Sequence, residues 1–222
     1  MLIGRKKEQA LLEKVFFSKE SEFITLYGRI RVGKTFLIRE YFSNRRCLYF
    51  QATGLQNGKL HQQLENFTKS LSACFFENIP LETPNSWTKA FELLHKQILS
   101  KNKNQKIVIF LDELPWMATR KSSLMQVIDY YWNHHWSSLK NIILVLCGSS
   151  ASWLIQKILF NKGGLHNRTT VEIKLLPFTL SETKEFLISR DIDINNQHIL
   201  DIYLSLGGIP YYLKYITKGL SA

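Results

Sequence analysis

The chain has 222 residues, 45% hydrophobic and 21% charged with a net charge of +11, which suits one well-cored domain plus a small appendage and points to anionic partners or a solvated basic face. No apolar run reaches membrane-spanning length, and Met1-Leu2-Ile3-Gly4-Arg5 enters a helix without a secretory apolar core, so no membrane partner and no secretion are expected. Three distant cysteines, Cys47, Cys74 and Cys147, fit neither a zinc spacing nor a disulfide framework and read as reduced thiols of a cytoplasmic protein.

Leu11, Leu12, Val15 and Phe16 predict one face of an N-terminal helix. Phe23–Tyr27 predicts a short buried strand, and Leu37, Ile38, Tyr41 and Phe42 predict a helix soon after it. Between them, Gly28-Arg29-Ile30-Arg31-Val32-Gly33-Lys34-Thr35 fits G-x-x-x-x-G-K-[ST] at every fixed position. Strand, glycine loop and helix together wrap backbone N–H groups around phosphates. Gly28 and Gly33 let the chain turn tightly and approach an anion, and the helix opening near Gly33 aims its positive end at it. Lys34 is placed to reach the β- and γ-phosphate oxygens and Thr35 to offer its hydroxyl to Mg²⁺, so Gly28 through Phe36 form the binding segment for a nucleoside triphosphate. Residues 1–50 hold eleven basic against five acidic side chains, and Arg29, Arg31 and Lys34 of this loop supply part of that excess. DNA stays open as a partner of the basic surface, although no zinc-finger spacing, arginine-rich tail or RNP-like aromatic motif supports it.

A second strand follows at Cys47–Ala52, then a loop at Gln56-Asn57-Gly58, a helix over 59–75 and another around Trp87–Leu99. Ile107-Val108-Ile109-Phe110-Leu111 reads as a central parallel strand buried on both faces, and it runs straight into Asp112 and Glu113. A buried strand ending in two carboxylates calls for something cationic. Asp112 then binds Mg²⁺ and Glu113 orients and deprotonates the attacking water; alone, the pair reads equally well as an exposed acidic turn. A helix is expected near Ser123–Trp136, a strand at Ile142–Cys147 ending in Gly148-Ser149-Ser150, a helix over 152–160 and a strand at Thr170–Leu175. His134 and His135 are adjacent and diverge by about 100° on a helix, so they make no metal pair. Trp132, Trp136 and Trp153 read as core. From Thr179 the texture is helical, with Thr179 and Glu182 in capping-box spacing. The alternation predicts an α/β fold, a doubly wound parallel sheet with helices on both faces, over residues 1–177, and a small helical lid over 178–222.

Ile3-Gly4-Arg5, Gly28–Thr35, Leu111-Asp112-Glu113-Leu114-Pro115-Trp116, Cys147-Gly148-Ser149-Ser150 and Gly207-Gly208-Ile209-Pro210 together resemble the archaeal-type P-loop ATPases, within the AAA-like and STAND-like group. The resemblance implies a P-loop NTPase fold, ATP and Mg²⁺ as ligands, and further roles. Ser149 or Ser150, on a strand expected between those of Gly33 and Asp112, matches a polar sensor of the γ-phosphate; the other reading is a turn capping the next helix. Arg168 resembles the arginine that neutralises transition-state charge, in cis or across a subunit interface; the other reading is an exposed loop arginine. Pro210 matches a lid turn near the adenine, or an ordinary helix ending, and Ile3 and Gly4 would flank the base from the other side. Members of the family usually continue beyond the lid, whereas this sequence stops at Ala222; the expectation is a truncated version or a fragment, or else a partner module that resides elsewhere. A guanine reader would need an Asp that Asn161-Lys162-Gly163-Gly164 lacks, which favours adenine. Two readings result: an ATPase coupling hydrolysis to conformational change, in which Lys34, Glu113, Arg168 and Ser149 act on the phosphates, or an ATP-dependent switch or scaffold with little turnover. Both leave a homo-oligomer open.

Overall fold

The computed structural model describes residues 2–101, 105–159, 165, 167–192 and 194–218. Phe160, the expected end of one helix, and the Asn161-Lys162-Gly163-Gly164 stretch lie outside the described residues. Five strands, β1 (Glu22–Gly28), β2 (Cys47–Thr53), β3 (Lys106–Asp112), β4 (Ile142–Gly148) and β5 (Val171–Leu175), form one parallel sheet in the order β2-β3-β4-β1-β5. The β4 strand lies between β1 and β3, as expected, and every one of its residues is buried.

Side chains alternate across the pleat, so each apolar strand feeds two cores. Ile107, Ile109 and Leu111 face one core, which is closed by α3 (Leu60–Phe75), α4 (Trp87–Leu99) and α6 (Leu124–His134). Val108 and Phe110 face the other, closed by α1 (Lys6–Phe17) and α2 (Lys34–Ser43). In the first core the Phe91 ring stacks at 5.6 Å on Phe67 and at 5.8 Å on Trp136. Trp132 and Trp136 are buried and Trp153 packs at the rim of that core. The expected 123–136 helix breaks at His135, where the backbone leaves helical geometry before a 3₁₀ turn at Trp136–Ser138. Likewise the helix after β4 is a short α7 (Ala151–Leu154) followed by a π-helical stretch, Ile155–Leu159. Asp112 and Glu113 lead into one more short helix, α5 (Leu114–Met117).

The register brings the chemistry to one edge. Gly28 pairs with Leu175, Tyr27 with Gly148, and Thr53 with Asp112, so the carboxyl ends of all five strands meet there. Beyond β5 the chain crosses to α8 (Leu180–Ile188), α9 (Asn196–Leu206) and α10 (Pro210–Leu213). The Thr179–Glu182 capping box forms, and a small core of Leu187, Ile192 and Ile199 holds α8 and α9 together. No helix among the described residues is long and apolar enough to cross a membrane.

One half-buried contact at the edge of the larger core titrates. The Nδ1 of His95 accepts a 3.2 Å hydrogen bond from the Trp136 indole N–H, which can only donate, so this nitrogen must be unprotonated in the fold. Burial and then the neighbouring His135 lower the His95 pKa from the ordinary 6.5. A folded pKa below the unfolded one means that the unfolded chain takes up the proton first as pH falls. The stability from this contact is thus complete above about pH 6.5 and is lost below it, down through the folded pKa. We expect the urea midpoint to fall between about pH 7.5 and 5, and to fall less in His95→Phe. Equal falls in both proteins would clear His95 of the effect.

Candidate functional site

The phosphate loop is built by two glycines that serve different needs. A Cβ on Gly28 would sit 2.2 Å from the carbonyl oxygen of Leu175, so a side chain there would push β5 off β1. Gly33 has a φ of 94° and nothing within 4 Å of its would-be Cβ. Its requirement is the left-handed backbone, and it caps α2 without any side-chain hydrogen bond. The first turn of α2 contains no acidic residue, so its unpaired N–H groups form an anion seat. Lys34 is 5% exposed and donates to the carbonyls of Gly28 (3.1 Å) and Arg29 (3.2 Å), which holds its ammonium inside the loop.

Asp112, 2% exposed, is fully engaged. Its Oδ2 accepts from Thr35 Oγ1 at 2.7 Å and its Oδ1 from the Glu113 backbone N–H at 3.0 Å. Glu113 has a φ of 48°, a left-handed backbone costing on the order of 1 kcal/mol in a non-glycine residue, and this turns the chain from β3 into α5. Its Oε2 accepts from both the backbone N–H (3.0 Å) and the Oγ (2.8 Å) of Ser149. Ser150 is the N-cap of α7 but makes no side-chain capping bond. Cys147, wholly buried beneath the site, is pushed well up by burial first and then by Asp112, so it remains a neutral thiol.

A cavity of about 480 Å³, within the usual range for small-ligand sites, opens onto Gly33, Lys34, Thr35 and Glu113 of these groups. Ile30 through Leu37, from the phosphate loop and the start of α2, line it together with Glu113. Leu2, Ile3, Phe178, Phe186 and Pro210 line an apolar side. One end thus offers an anion seat and the other a slot for a flat apolar ring. The donor set fits a nucleotide with its metal: a hydroxyl and a carboxylate 2.7 Å apart, beside an N–H-rich helix start and a buried ammonium. Among the described residues no three His, Cys, Asp or Glu side chains could hold a metal by themselves, so a cation here needs the phosphates as co-ligands. A second cavity of about 420 Å³, between Thr119–Ser123 and Trp153, contains none of these groups.

Three expected site residues sit elsewhere. Gly4 does not line the cavity; its φ of 62° and close approach to Glu182 leave it in the turn before α1. Arg29 contributes its carbonyl to Lys34, while its side chain is exposed. Arg168 is exposed on the segment entering the amino end of β5 and does not line the cavity at the carboxyl ends, which leaves action across a subunit interface as the reading this geometry accommodates. Sequence reading missed Arg5, Phe178, Tyr211 and Lys214, all of which line the cavity. The guanidinium of Arg5 donates to the carbonyls of Leu176 (2.6 Å) and Val32 (3.2 Å). Burial lowers its pKa, with Glu8 and Glu182 opposing. Tyr211 and Lys214 follow Pro210 within one helical turn, the one local signal that could have disclosed them.

Fold and site together define a nucleotide-binding P-loop ATPase of the α/β class. The chain belongs to the family of ATPase domains found predominantly in Archaea, which matches residues 2–216. An uncharacterised protein of Methanocaldococcus jannaschii is 28% identical over 214 residues, covering 96% of this chain and 44% of that protein. The chain therefore spans less than half the length of that relative. Among solved structures, the Walker-type ATPase of Pyrococcus abyssi aligns with a TM-score of 0.64 at 19% identity, over 96% of this chain and 65% of its own. The Aeropyrum pernix ORC2 protein, solved in ADPNP–ADP complexes, aligns with a TM-score of 0.67 at 14% identity, over 96% of this chain and 61% of its own. At those identities the likeness shows the fold.

The two loop glycines should fail differently. Gly28→Ala must move a backbone carbonyl and should cost about 1–3 kcal/mol of folding stability. Gly33→Ala meets only backbone strain, about 1–2 kcal/mol, and should damage nucleotide binding more than stability. Denaturant midpoints and nucleotide titrations on both variants check this; a Gly28→Ala protein as stable as wild type would contradict the close packing of β1 on β5.

Proposed function

We propose that this chain hydrolyses ATP with Mg²⁺ and that the cycle moves residues 178–222, acting as a lid, on a core of residues 1–177. The observation that carries the reading is the meeting of Lys34, Thr35 and Glu113 in the lining of one cavity, with the Asp112 carboxylate held directly behind the Thr35 hydroxyl. Lys34 exchanges its carbonyl partners for β- and γ-phosphate oxygens, and the N–H groups opening α2 hold the same phosphates. Thr35 and Asp112 hold the cation. Mg²⁺, when bound, neutralises charge on the phosphate oxygens and aligns them for in-line displacement. Glu113 accepts a proton from the attacking water as that oxygen bonds the γ-phosphorus and the bond to the β-phosphate oxygen breaks, releasing ADP and phosphate. Ser149 orients the Glu113 carboxylate through its hydroxyl and backbone N–H.

Two observations favour the second reading, a nucleotide-dependent switch with little intrinsic turnover. One oxygen of the Glu113 carboxylate, Oε2, is held by both donors of Ser149, Arg168 stands outside the cavity, and the two arginines that line it, Arg5 and Arg31, are engaged by carbonyls and by Tyr212, so an arginine from a second copy or a partner would be the free cation for transition-state charge. DNA, a separate C-terminal-type module and a second copy of the chain are the partners whose addition should accelerate such an enzyme.

Phosphate release by the chain, alone and with DNA, tests the reading. Glu113→Gln should retain ATP and lose roughly 10²–10⁴-fold in single-turnover rate. Asp112→Asn should instead weaken the Mg²⁺ dependence of binding, because it removes a metal partner and not a proton acceptor. Unchanged hydrolysis in Glu113→Gln would remove the base and leave the switch. In competition titrations ATP should displace GTP at lower concentration, on the ground that the sequence carries no Asn-Lys-x-Asp guanine reader; equal affinities would withdraw the adenine assignment.

A further inference from the structure

Two arginines tie the C-terminal helices to the core, and burial separates their duties. Arg5 is 5% exposed and lies 4.6 Å from the centre of the Phe178 ring. Its side chain holds the Leu176 carbonyl, and its backbone N–H donates to Glu182 at 2.7 Å. Desolvation works against the Glu182 carboxylate, yet bonds from the Thr179 and Arg5 backbones keep its pKa lowered. These contacts cluster where the chain passes from β5 into α8, so Arg5 secures a pivot.

Arg31 is the opposite case. It is exposed, belongs to the phosphate loop, and has a left-handed backbone, with a φ of 71°. Its guanidinium turns to α10, where Nη1 donates to the Tyr212 hydroxyl at 3.0 Å. The guanidinium carbon stands 4.4 Å from the Tyr211 ring centre and 5.5 Å from that of Tyr212. Lys214 lies 4.2 Å from the same Tyr211 ring, which therefore carries two cations. Arg31, Tyr211 and Lys214 all line the large cavity, so anything that widens the gap between the phosphate loop and α10 must part them.

We infer that Arg31, Tyr211 and Tyr212 form a latch that closes the lid over a bound nucleoside phosphate and sets the rate of nucleotide exchange. The inference rests on the nucleotide-site reading above and adds its regulation. Exposed cation–π contacts and hydrogen bonds are individually weak, so this contact opens thermally while the buried Arg5 pivot holds. A loop arginine free to bind phosphate would point into the anion seat; Arg31 is committed to two rings on another element. A latch of this kind leaves a kinetic signature that a ligand contact does not. It obstructs entry and exit alike, so its loss raises both rate constants while their ratio moves little. Loss of a ligand contact raises the exit rate alone.

The test uses the full chain, a fluorescent N-methylanthraniloyl ADP with Mg²⁺, and stopped-flow mixing. Tyr212→Phe removes the hydroxyl acceptor and keeps the ring; Tyr212→Leu removes hydroxyl and ring together, at a residue that is not among those lining the cavity. Association and dissociation rates should both rise, about twofold to fivefold in the first and about tenfold in the second, with Kd within about threefold of wild type. Hydrogen exchange of the Tyr212–Lys214 amides, measured without nucleotide, should accelerate in both variants while β1 and β3 stay protected. Unchanged rates in variants that still bind the analogue overturn the latch and leave the nucleotide site standing. A rise in dissociation alone, with Kd in proportion, makes Tyr212 a ligand contact and also overturns it. Failure of wild type to bind the analogue removes the nucleotide reading and the exchange role with it.

Discussion

The carboxylate of Asp112 sits at the tip of a strand with almost no access to water, and the arrangement of the site follows from having to satisfy it. A buried ionised group is tolerated only when each oxygen has a donor. One donor is the next backbone N–H in the chain; the other is Thr35, on the far side of β4, because β4 lies between β1 and β3. The start of α2 therefore spans the carboxyl tip of β4. That tip is packed on its other side by α5, and a Cβ on Gly148 would come within 2.7 Å of Pro115. Glu113, turned back by its positive φ, then reaches Ser149 just past the same tip. Residues far apart in sequence are thus brought to one point by a single bond across the sheet.

Every charged group at the site already has a protein partner: Lys34 the loop carbonyls, Asp112 the Thr35 hydroxyl, Glu113 the Ser149 donors. Binding is then an exchange of hydrogen bonds, and its free energy is the difference between two satisfied arrangements, which is much smaller than the gross strength of either. Backbone geometry, by contrast, is already in place: the left-handed turn at Gly33 and the open start of α2 need no rearrangement. In the proposed cycle the side chains trade partners on a fixed frame, which makes the phosphate end well suited to registering the number of phosphates.

The sheet was legible in the sequence because its signals are local. Continuous apolar runs at Ile107–Leu111 and Ile142–Cys147 mark doubly buried strands, and the glycine loop marks the turn between β1 and α2. The start of α8 after Thr179 was legible for the same reason, through its capping box. What sequence left open depended on long-range geometry. Whether Ser149 was a helix cap or a site residue turned on where Glu113 pointed, and a positive φ at a glutamate has no sequence signature. Arg168 precedes the right strand yet enters it at its amino end, and proximity in sequence to β5 says nothing about which edge an exposed side chain reaches. Arg5 stood out only as the end of Ile3-Gly4-Arg5, with no role of its own, because its partners at Leu176, Phe178 and Glu182 lie more than a hundred residues away.

The two parts of the chain also differ in what holds them. The sheet is sealed between two extensive apolar cores, whereas α8 and α9 share a core of three buried residues, and α10 has four residues. Local opening is cheapest where few apolar contacts must be broken, so motion is expected to concentrate in the C-terminal helices while the strands stay fixed. A ligand can drive such motion only by contacting the two arrangements differently. The phosphate loop is placed to transmit that difference, since Lys34 faces the anion seat while Arg31, three residues earlier on the same short loop, holds α10. In the proposed cycle, a shift of the loop backbone toward phosphate would draw Arg31 away from α10, coupling phosphate occupancy to the C-terminal helices without any longer chain of intermediaries.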